Sequence, residues 1–526
     1  MIRFALLFVS ALLGAGLTVP AVTVSPRWWA AAALAWALAA LGGYDLLQRR
    51  HSVLRNYPVL GHLRYLLERL RPELQQYFIE RDYDGRPFDR VVRSIVYERA
   101  KGTAAEEAFG TERDVRTPGH EFLVHSIAPV PVPETPPTVR VGGPDCTRPY
   151  EMSLLNVSAM SFGALSSHAV LALNRGAARG GFAHDTGEGG ISAHHLRHGG
   201  DLVWEIGTGY FGCRTKDGDF DPRQFADQAA REQVVCVSLK LSQGAKPGSG
   251  GLLPGGKVNE EIARARGVPQ GRTVVSPPYH SVFTTPRDLV HFLAYLRELA
   301  GGKPVGLKLC VGSRREFLAL CKAMRAEGST PDFVVVDGSE GGTGAAPLEF
   351  ADHLGQPLTE GLLTVHNALT GAGLRERIRI GASGKVATGA DIVKRLIQGA
   401  DYTNAARAMM FAVGCIQAQR CHTNTCPVGV TTQDPRRVRA LDVADKALRV
   451  QRFQAETVAS AMKIMAAAGV SAPGELRPSM LRRRIDPATI RASDELYERL
   501  APESLLGDAP AQWAQDWSAA DPDRFF

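Results

Sequence analysis

The chain has 526 residues, 44% hydrophobic and 22% charged, a balance that supports a large folded core and excludes wholesale disorder. A formal net charge of +7 suits an anionic membrane surface or acidic small molecules. No stripe of Lys and Arg interleaved with aromatics occurs, so nucleic acid is not an expected partner. Eight cysteines are too few and too uneven for a secreted disulfide framework. Cys146, Cys213, Cys236, Cys310 and Cys321 are expected as small buried hydrophobes.

In chain order, two apolar runs come first, Phe4 to Val24 and Trp28 to Leu47. Each is about 20 residues, the length that crosses a bilayer core as a helix. A signal peptide would explain the first run but not the second. Arg3 precedes the pair, and Arg49, Arg50, His51 and Arg55 follow it. The positive-inside bias makes that side cytoplasmic, with Trp28 and Trp29 at the interface. Residues 1–50 are therefore predicted to form a transmembrane hairpin, with everything after Arg49 in the cytoplasm.

Residues 51–150 are predicted as a juxtamembrane helix and connector. Leu60, Leu63, Leu66, Leu67, Leu70 and Leu74 recur at helical spacing. The stripe is expected to pack on the soluble domain in preference to lying on the membrane surface. Pro129, Pro131, Pro133, Pro136 and Pro137 mark an extended connector. From 151 to 435 the chain alternates short β-rich runs, Gly-rich loops and helical stretches. The strands are predicted at Leu154–Ser158, Gly181–His184, Val234–Leu241, Thr273–Ser276, Val305–Leu309, Phe333–Asp337, Ile378–Gly381 and Tyr402–Asn404. Eight such units make an α/β fold of the (β/α)8 TIM type, with the active site among the loops at the C-terminal face. No G-x-G-x-x-G follows the first strand, which argues against an open dinucleotide-binding sheet. Residues 436–526 are predicted as a helical C-terminal extension.

Three groups of residues carry chemistry. Cys415, Cys421 and Cys426 lie within one short segment that ends in Pro427. Their spacing fits an iron–sulfur cluster, with tetrahedral zinc using His422 or plain buried cysteines as the alternatives. The loops after the last two strands carry Ser383, Gly384, Lys385, Ala406 and Arg407, where barrels commonly cradle a phosphate. Lys240, Lys246, Lys308 and Arg266 sit in or near strands and loops. A Lys inside a barrel strand, as in Val-Gly-Leu-Lys308-Leu, is costly without an anion. Arg266 can hold a carboxylate bidentately or decorate a helix surface.

Over residues 150 to 435 the sequence resembles the FMN-binding synthase domain of glutamate synthases. The motifs, in order, are Met160-Ser-Phe-Gly163, Thr186-Gly-Glu-Gly-Gly190, Gln243-Gly-Ala-Lys-Pro-Gly248, Ser276-Pro-Pro278, Gly341-Gly-Thr-Gly344 and the cysteine segment. The resemblance implies FMN and a [3Fe–4S] cluster, with [4Fe–4S] the alternative. It implies reductive amination of 2-oxoglutarate with ammonia, Gln243, Lys246 and Arg266 holding the 2-oxo acid. It further implies Glu188 near the ammonia entry and Lys246 as catalytic residues. Met160, Ser161, Gly163, Lys308, Gly342, Ser383, Gly384, Lys385, Ala406 and Arg407 are implied at the flavin, and Cys415, Cys421 and Cys426 at the cluster. Six residues after Lys246, where the family often has Gln, stands Leu252. The large synthases begin with a glutaminase domain; here Met1 leads into an apolar span, so ammonia is expected free or from a partner. A ferredoxin or separate reductase is the implied electron donor. Two other readings are a related FMN-barrel oxidoreductase on another keto or hydroxy acid, and a membrane-anchored electron-transfer subunit.

Overall fold

A computed structural model describes residues 4–103, 106 and 108–526, so Arg3 lies outside the described residues. The chain divides into two compact units, Met1–Arg90 and Val91–Phe526.

In the first unit, helices Ala5–Thr23 and Trp28–Leu47 pack on each other and are long and apolar enough to cross a membrane. Close approach is permitted at Gly14, where a Cβ would lie 3.0 Å from the Trp36 ring, and Trp36 donates from Nε1 to Thr18 Oγ1 at 3.2 Å. Asp45, fully buried, accepts from the Val59 N–H at 2.9 Å and contacts His62 Nε2 at 2.9 Å. This fixes the start of helix Gly61–Leu74 to the end of the hairpin. Within this unit Leu63, Leu66, Leu67, Leu70 and Leu74 are exposed. Periodicity identified the apolar face but carries no information about what covers it.

The second unit is built on a closed parallel barrel. Its strands are β1 (Leu155–Val157), β2 (His184–Asp185), β3 (Leu202–Ile206), β4 (Val234–Lys240), β5 (Val305–Leu309), β6 (Phe333–Asp337), β7 (Arg379–Ser383) and β8 (Tyr402–Ala405). Each pairs with its neighbour in sequence, and β8 closes the ring on β1 through Thr403↔Leu155. Seven of the predicted strands correspond to barrel strands. Thr273–Ser276 does not: Val274–Val275 forms an antiparallel ribbon with Leu252–Leu253 in the long excursion between β4 and β5. Val234–Lys240 pairs directly with Val305–Leu309, and the remaining strand of the ring is β3, between β2 and β4, whose five residues are all buried.

The crossover helices start where local sequence dictates. Ser166 caps helix Ser167–Gly180 by accepting from the Ala169 N–H, while Thr285–Asp288 and Thr388–Asp391 form capping boxes. Strands such as Phe-Val-Val-Val-Asp337 are buried throughout, as parallel strands covered on both faces must be. Outside the barrel, Thr138–Val141 pairs with Tyr150–Ser153. The C-terminal extension contains the long helix Val443–Ala467 and also two strands, Leu481–Arg484 and Ile490–Ala492, which form a sheet with Glu121–Leu123.

Candidate active site

The loops leaving the C-terminal ends of β2 and β4 converge on one charged group. Glu188 Oε2 accepts from Lys240 Nζ at 2.9 Å, and the same ammonium donates to Gln243 Oε1 at 2.5 Å. Burial alone would raise the Glu188 pKa; Lys240, Arg266 and Lys246 overrule it and hold the carboxyl at about 2. Space for the carboxylate comes from its neighbours, since a Cβ on Gly251 would stand 2.4 Å from Glu188 Oε1. Gln243 Nε2 donates to Thr343 Oγ1 at 3.1 Å, which ties this loop to the one after β6.

Two further cations face this group without a carboxylate bound to them. Lys246, 5% exposed, donates among the described residues to the Gly250 carbonyl alone, at 3.1 Å. Arg266, also 5% exposed, donates to Ser161 Oγ at 3.3 Å and the Phe162 carbonyl at 3.2 Å, and lies over the Phe211 ring. Its Nε is buried without a partner. It is not surface decoration: helix Glu260–Arg266, capped by Asn259, turns its last residue inward. A cavity of about 450 Å³ beside the site shares Arg266 and Phe162 with it. Leu252 is half-exposed in the ribbon, and its neighbour Leu253 is buried.

His280, which the sequence did not single out, supports the group from behind. A neutral ring donating from Nε2 to the Lys240 carbonyl (2.9 Å) and accepting at Nδ1 from the Tyr210 hydroxyl (3.1 Å) satisfies both contacts. Burial holds it neutral, with a pKa of about 4, and burial likewise holds His184 at about 3. Below the ordinary histidine pKa, near 6.5, the unfolded chain therefore takes protons that the folded barrel refuses. Stability should fall as pH drops from about 6.5 to about 4, by up to roughly 1.4 kcal/mol per pH unit for each histidine. Unfolding midpoints measured across this window check the expectation, and His280→Gln should flatten the slope.

Inside the barrel, Lys308 Nζ meets Glu205 Oε2 at 3.0 Å, with side chains only 6% and 2% exposed. Burial would strip the ammonium of its proton, but Glu205, Asp337 and Asp185 hold it charged. Burial first, then the Glu205 carboxylate, push the Asp185 pKa far up. Asp337 also accepts from the Gly244 N–H at 3.0 Å.

Around these charges lie the remaining candidate cofactor residues. Gly187, at φ +64°, lets the loop after β2 touch the loop after β1; a Cβ there would sit 2.6 Å from the Ser161 nitrogen. Met160 is buried, and Gly163 takes φ +106°. At the ends of β7 and β8, Ser383 Oγ contacts Ser158 Oγ at 3.1 Å, and Lys385 holds a left-handed φ of +52°, a strained conformation typical of binding loops. Arg407, which follows Ala406, donates to the Glu340 carbonyl at 2.8 Å, and a Cβ on Gly342 would collide with it at 2.8 Å.

The cysteine segment follows the short helix Arg407–Ala412. Burial pushes the Cys415 thiol up to about 12 and raises Cys421. Cys426 behaves differently. Burial raises it, but polar groups of Thr431 and the N–H groups of Val428 and Val430 outweigh burial and hold it below the ordinary thiol range. Against this segment lies Lys257, 2% exposed, which donates to the carbonyls of Cys421 (2.7 Å), Thr431 (2.8 Å) and Ala164 (3.4 Å). Burial draws its pKa down to about 8, and the fields of Cys421 and Cys426 oppose the shift. Among the described residues, no three His, Cys, Asp or Glu side chains converge closely enough to hold one metal ion.

Residues 147–471 match the family described as the conserved region in glutamate synthase. The chain belongs to the glutamate synthase family. It is similar to the glutamate synthase large subunit-like protein YerD of Bacillus subtilis, 38% identical over 470 residues, 82% of this chain and 89% of the relative. To the archaeal glutamate synthase [NADPH] of Methanocaldococcus jannaschii it is 33% identical over 330 residues, 62% of this chain and 61% of that one. To the glutamate synthase [NADPH] large chain of Azospirillum brasilense it is 35% identical over 306 residues, 57% of this chain but only 19% of that chain. This family member is thus a glutamate synthase-like oxidoreductase that spans under two thirds of the longer relatives.

Proposed function

We propose that the chain reductively aminates 2-oxoglutarate with ammonia to give glutamate. The observation that carries this reading is the pair of buried cations, Lys246 and Arg266, that form no direct ion pair among the described residues and share the field of one carboxylate, Glu188. Buried charges of this kind require an anionic partner, and a dicarboxylate supplies one for each. Gln243 would orient the acid, and Glu188, ionised at all working pH values, would draw ammonium toward it. Such fixed placement is the main means by which the protein itself can lower the barrier.

FMN is the cofactor these loops fit. Ser383, Gly384, Lys385, Ala406 and Arg407 would hold its phosphate, Met160, Ser161 and Gly163 would pack beneath the ring, and Gly342 would leave Arg407 its place. Lys308, held charged by its buried carboxylates, would face the flavin. Cys415, Cys421 and Cys426 would hold an iron–sulfur cluster, [3Fe–4S] by their number, with Cys426 set among the N–H groups of Val428, Val430 and Thr431. When bound, the flavin supplies the hydride and the cluster single electrons from a ferredoxin or separate reductase. Anaerobic assay with reduced ferredoxin, ammonium and 2-oxoglutarate should yield glutamate. If other 2-oxo acids reoxidise the reduced flavin while 2-oxoglutarate does not, the substrate assignment fails.

The two apolar helices would anchor the enzyme in a membrane with the barrel in the cytoplasm. Helix Gly61–Leu74, tethered at the hairpin's end by Asp45 and His62, has the exposed leucines and the Arg64, Arg69 and Arg71 side chains of a helix lying in the interface. The full chain should remain in the pellet when membranes are washed with alkaline carbonate; release into the supernatant would refute the anchor.

A further inference from the structure

Lys257 has a role that none of the implied cluster or substrate residues fills. Its ammonium is buried, and its three donors all end on backbone carbonyls, those of Cys421, Thr431 and Ala164. That arrangement satisfies the N–H groups but leaves the positive charge uncompensated, because Lys257 forms no ion pair among the described residues. Burying an unpaired charge is unfavourable, so an anion belongs beside it. The carbonyls it meets in the cysteine segment, those of Cys421 and Thr431, stand on either side of Cys426, so the nearest groups that could carry that anion are the Cys421 and Cys426 side chains. As thiols they are neutral; as cluster ligands they are thiolates.

We propose that Lys257 is the fixed counter-charge of the cluster site, a positioning residue that favours the cluster's reduced state. The proposal rests on reading Cys415, Cys421 and Cys426 as iron–sulfur ligands. One-electron reduction adds one negative charge to the cluster, and a buried cation against the ligand loop stabilises that added charge in a low-dielectric setting. The position also links three parts of the site. Ala164 follows the Met160–Gly163 loop, and Cys421 and Thr431 bracket Cys426. Lys257 itself lies just before Asn259, which caps the helix carrying Arg266. A second tie, from Asn424 Nδ2 to the Gly256 carbonyl at 3.4 Å, keeps the two segments in register.

The test is an EPR-monitored redox titration of the full-length protein, with iron and acid-labile sulfide measured on the same samples. Wild-type protein lacking iron and sulfide after anaerobic reconstitution would refute the cluster reading itself. With the cluster present, Lys257→Met should lower the reduced-to-oxidised ratio at a fixed potential at least tenfold, equivalent to 59 mV for one electron. Lys257→Arg should stay within threefold of wild type. If Lys257→Met holds full iron with an unchanged ratio, the proposal is overturned. If Lys257→Met loses iron while Lys257→Arg retains it, a charge requirement is supported. If both lose iron, the residue acts by shape and hydrogen bonding, and the counter-charge role is overturned.

Discussion

Lys308→Met should destabilise the barrel unit by about 3–5 kcal/mol, the usual cost of removing one partner from a buried ion pair. The magnitude follows from where the charge sits. Lys308 and Glu205 are almost inaccessible, and the same ammonium also offsets Asp185 and Asp337. Without it, Glu205 is left as an uncompensated carboxylate inside the barrel. It can escape only by taking up a proton, which makes the loss larger at high pH than at low pH. Chemical unfolding of the purified full-length protein at pH 6 and pH 8 measures both effects. The double variant Lys308→Met/Glu205→Leu separates charge from packing, because replacing both partners by apolar groups is often close to neutral. Recovery of at least half the loss is expected. An equally unstable double variant would mean that shape, not charge, sets the cost.

The same pair explains why one barrel strand was not legible in the sequence. Leu-Val-Trp-Glu-Ile206 interrupts its apolar run with Glu205, and the lysine that satisfies this carboxylate stands 103 positions away. No local pattern announces such a partner. Thr273–Ser276, with its β-branched residues, reads as the better strand, yet Val275 is largely exposed and the segment makes only a two-stranded ribbon. The two errors cancel in the count of eight, so the architecture was predicted correctly while one strand was misassigned. The other seven were legible because each crossover unit is local: a buried β-branched run, a glycine loop, then a capped helix. The leucines of helix Gly61–Leu74 show the opposite limit, since spacing reveals an apolar face but not its environment.

The candidate site divides in the same way. Glu188, Gln243 and Lys246 were legible through their motifs and Arg266 through the family resemblance alone, and the fold brings their loops to one end of the barrel. Lys240 was visible only as one of several basic residues. Its position in Ser-Leu-Lys-Leu resembles that of Lys308 in Gly-Leu-Lys-Leu, and sequence alone does not say which carboxylate each one meets. His280 and Lys257 gave no signal, because their contacts are to backbone carbonyls and to a tyrosine hydroxyl that only the fold brings near.

Lys240→Met is therefore the substitution expected to change chemistry most. Lys240 is the largest influence among the three cations that hold Glu188 ionised, and it also fixes Gln243. A charge-assisted contact of this kind is worth about 1.5–3 kcal/mol, so kcat/KM for glutamate formation should fall roughly 10- to 100-fold. The pH profile makes the cause specific. In the wild type Glu188 titrates near pH 2 and contributes no limb in the working range. Without Lys240 its pKa rises, the carboxyl protonates as pH falls, and an acid limb appears in which kcat/KM increases with pH. Glu188→Gln should be comparably slow but should show no such limb, because nothing is left there to titrate. An unchanged kcat/KM with a flat profile in Lys240→Met would show that the 2.9 Å contact between Lys240 and Glu188 is structural, and that the charge of Glu188 is not governed by its nearest cation.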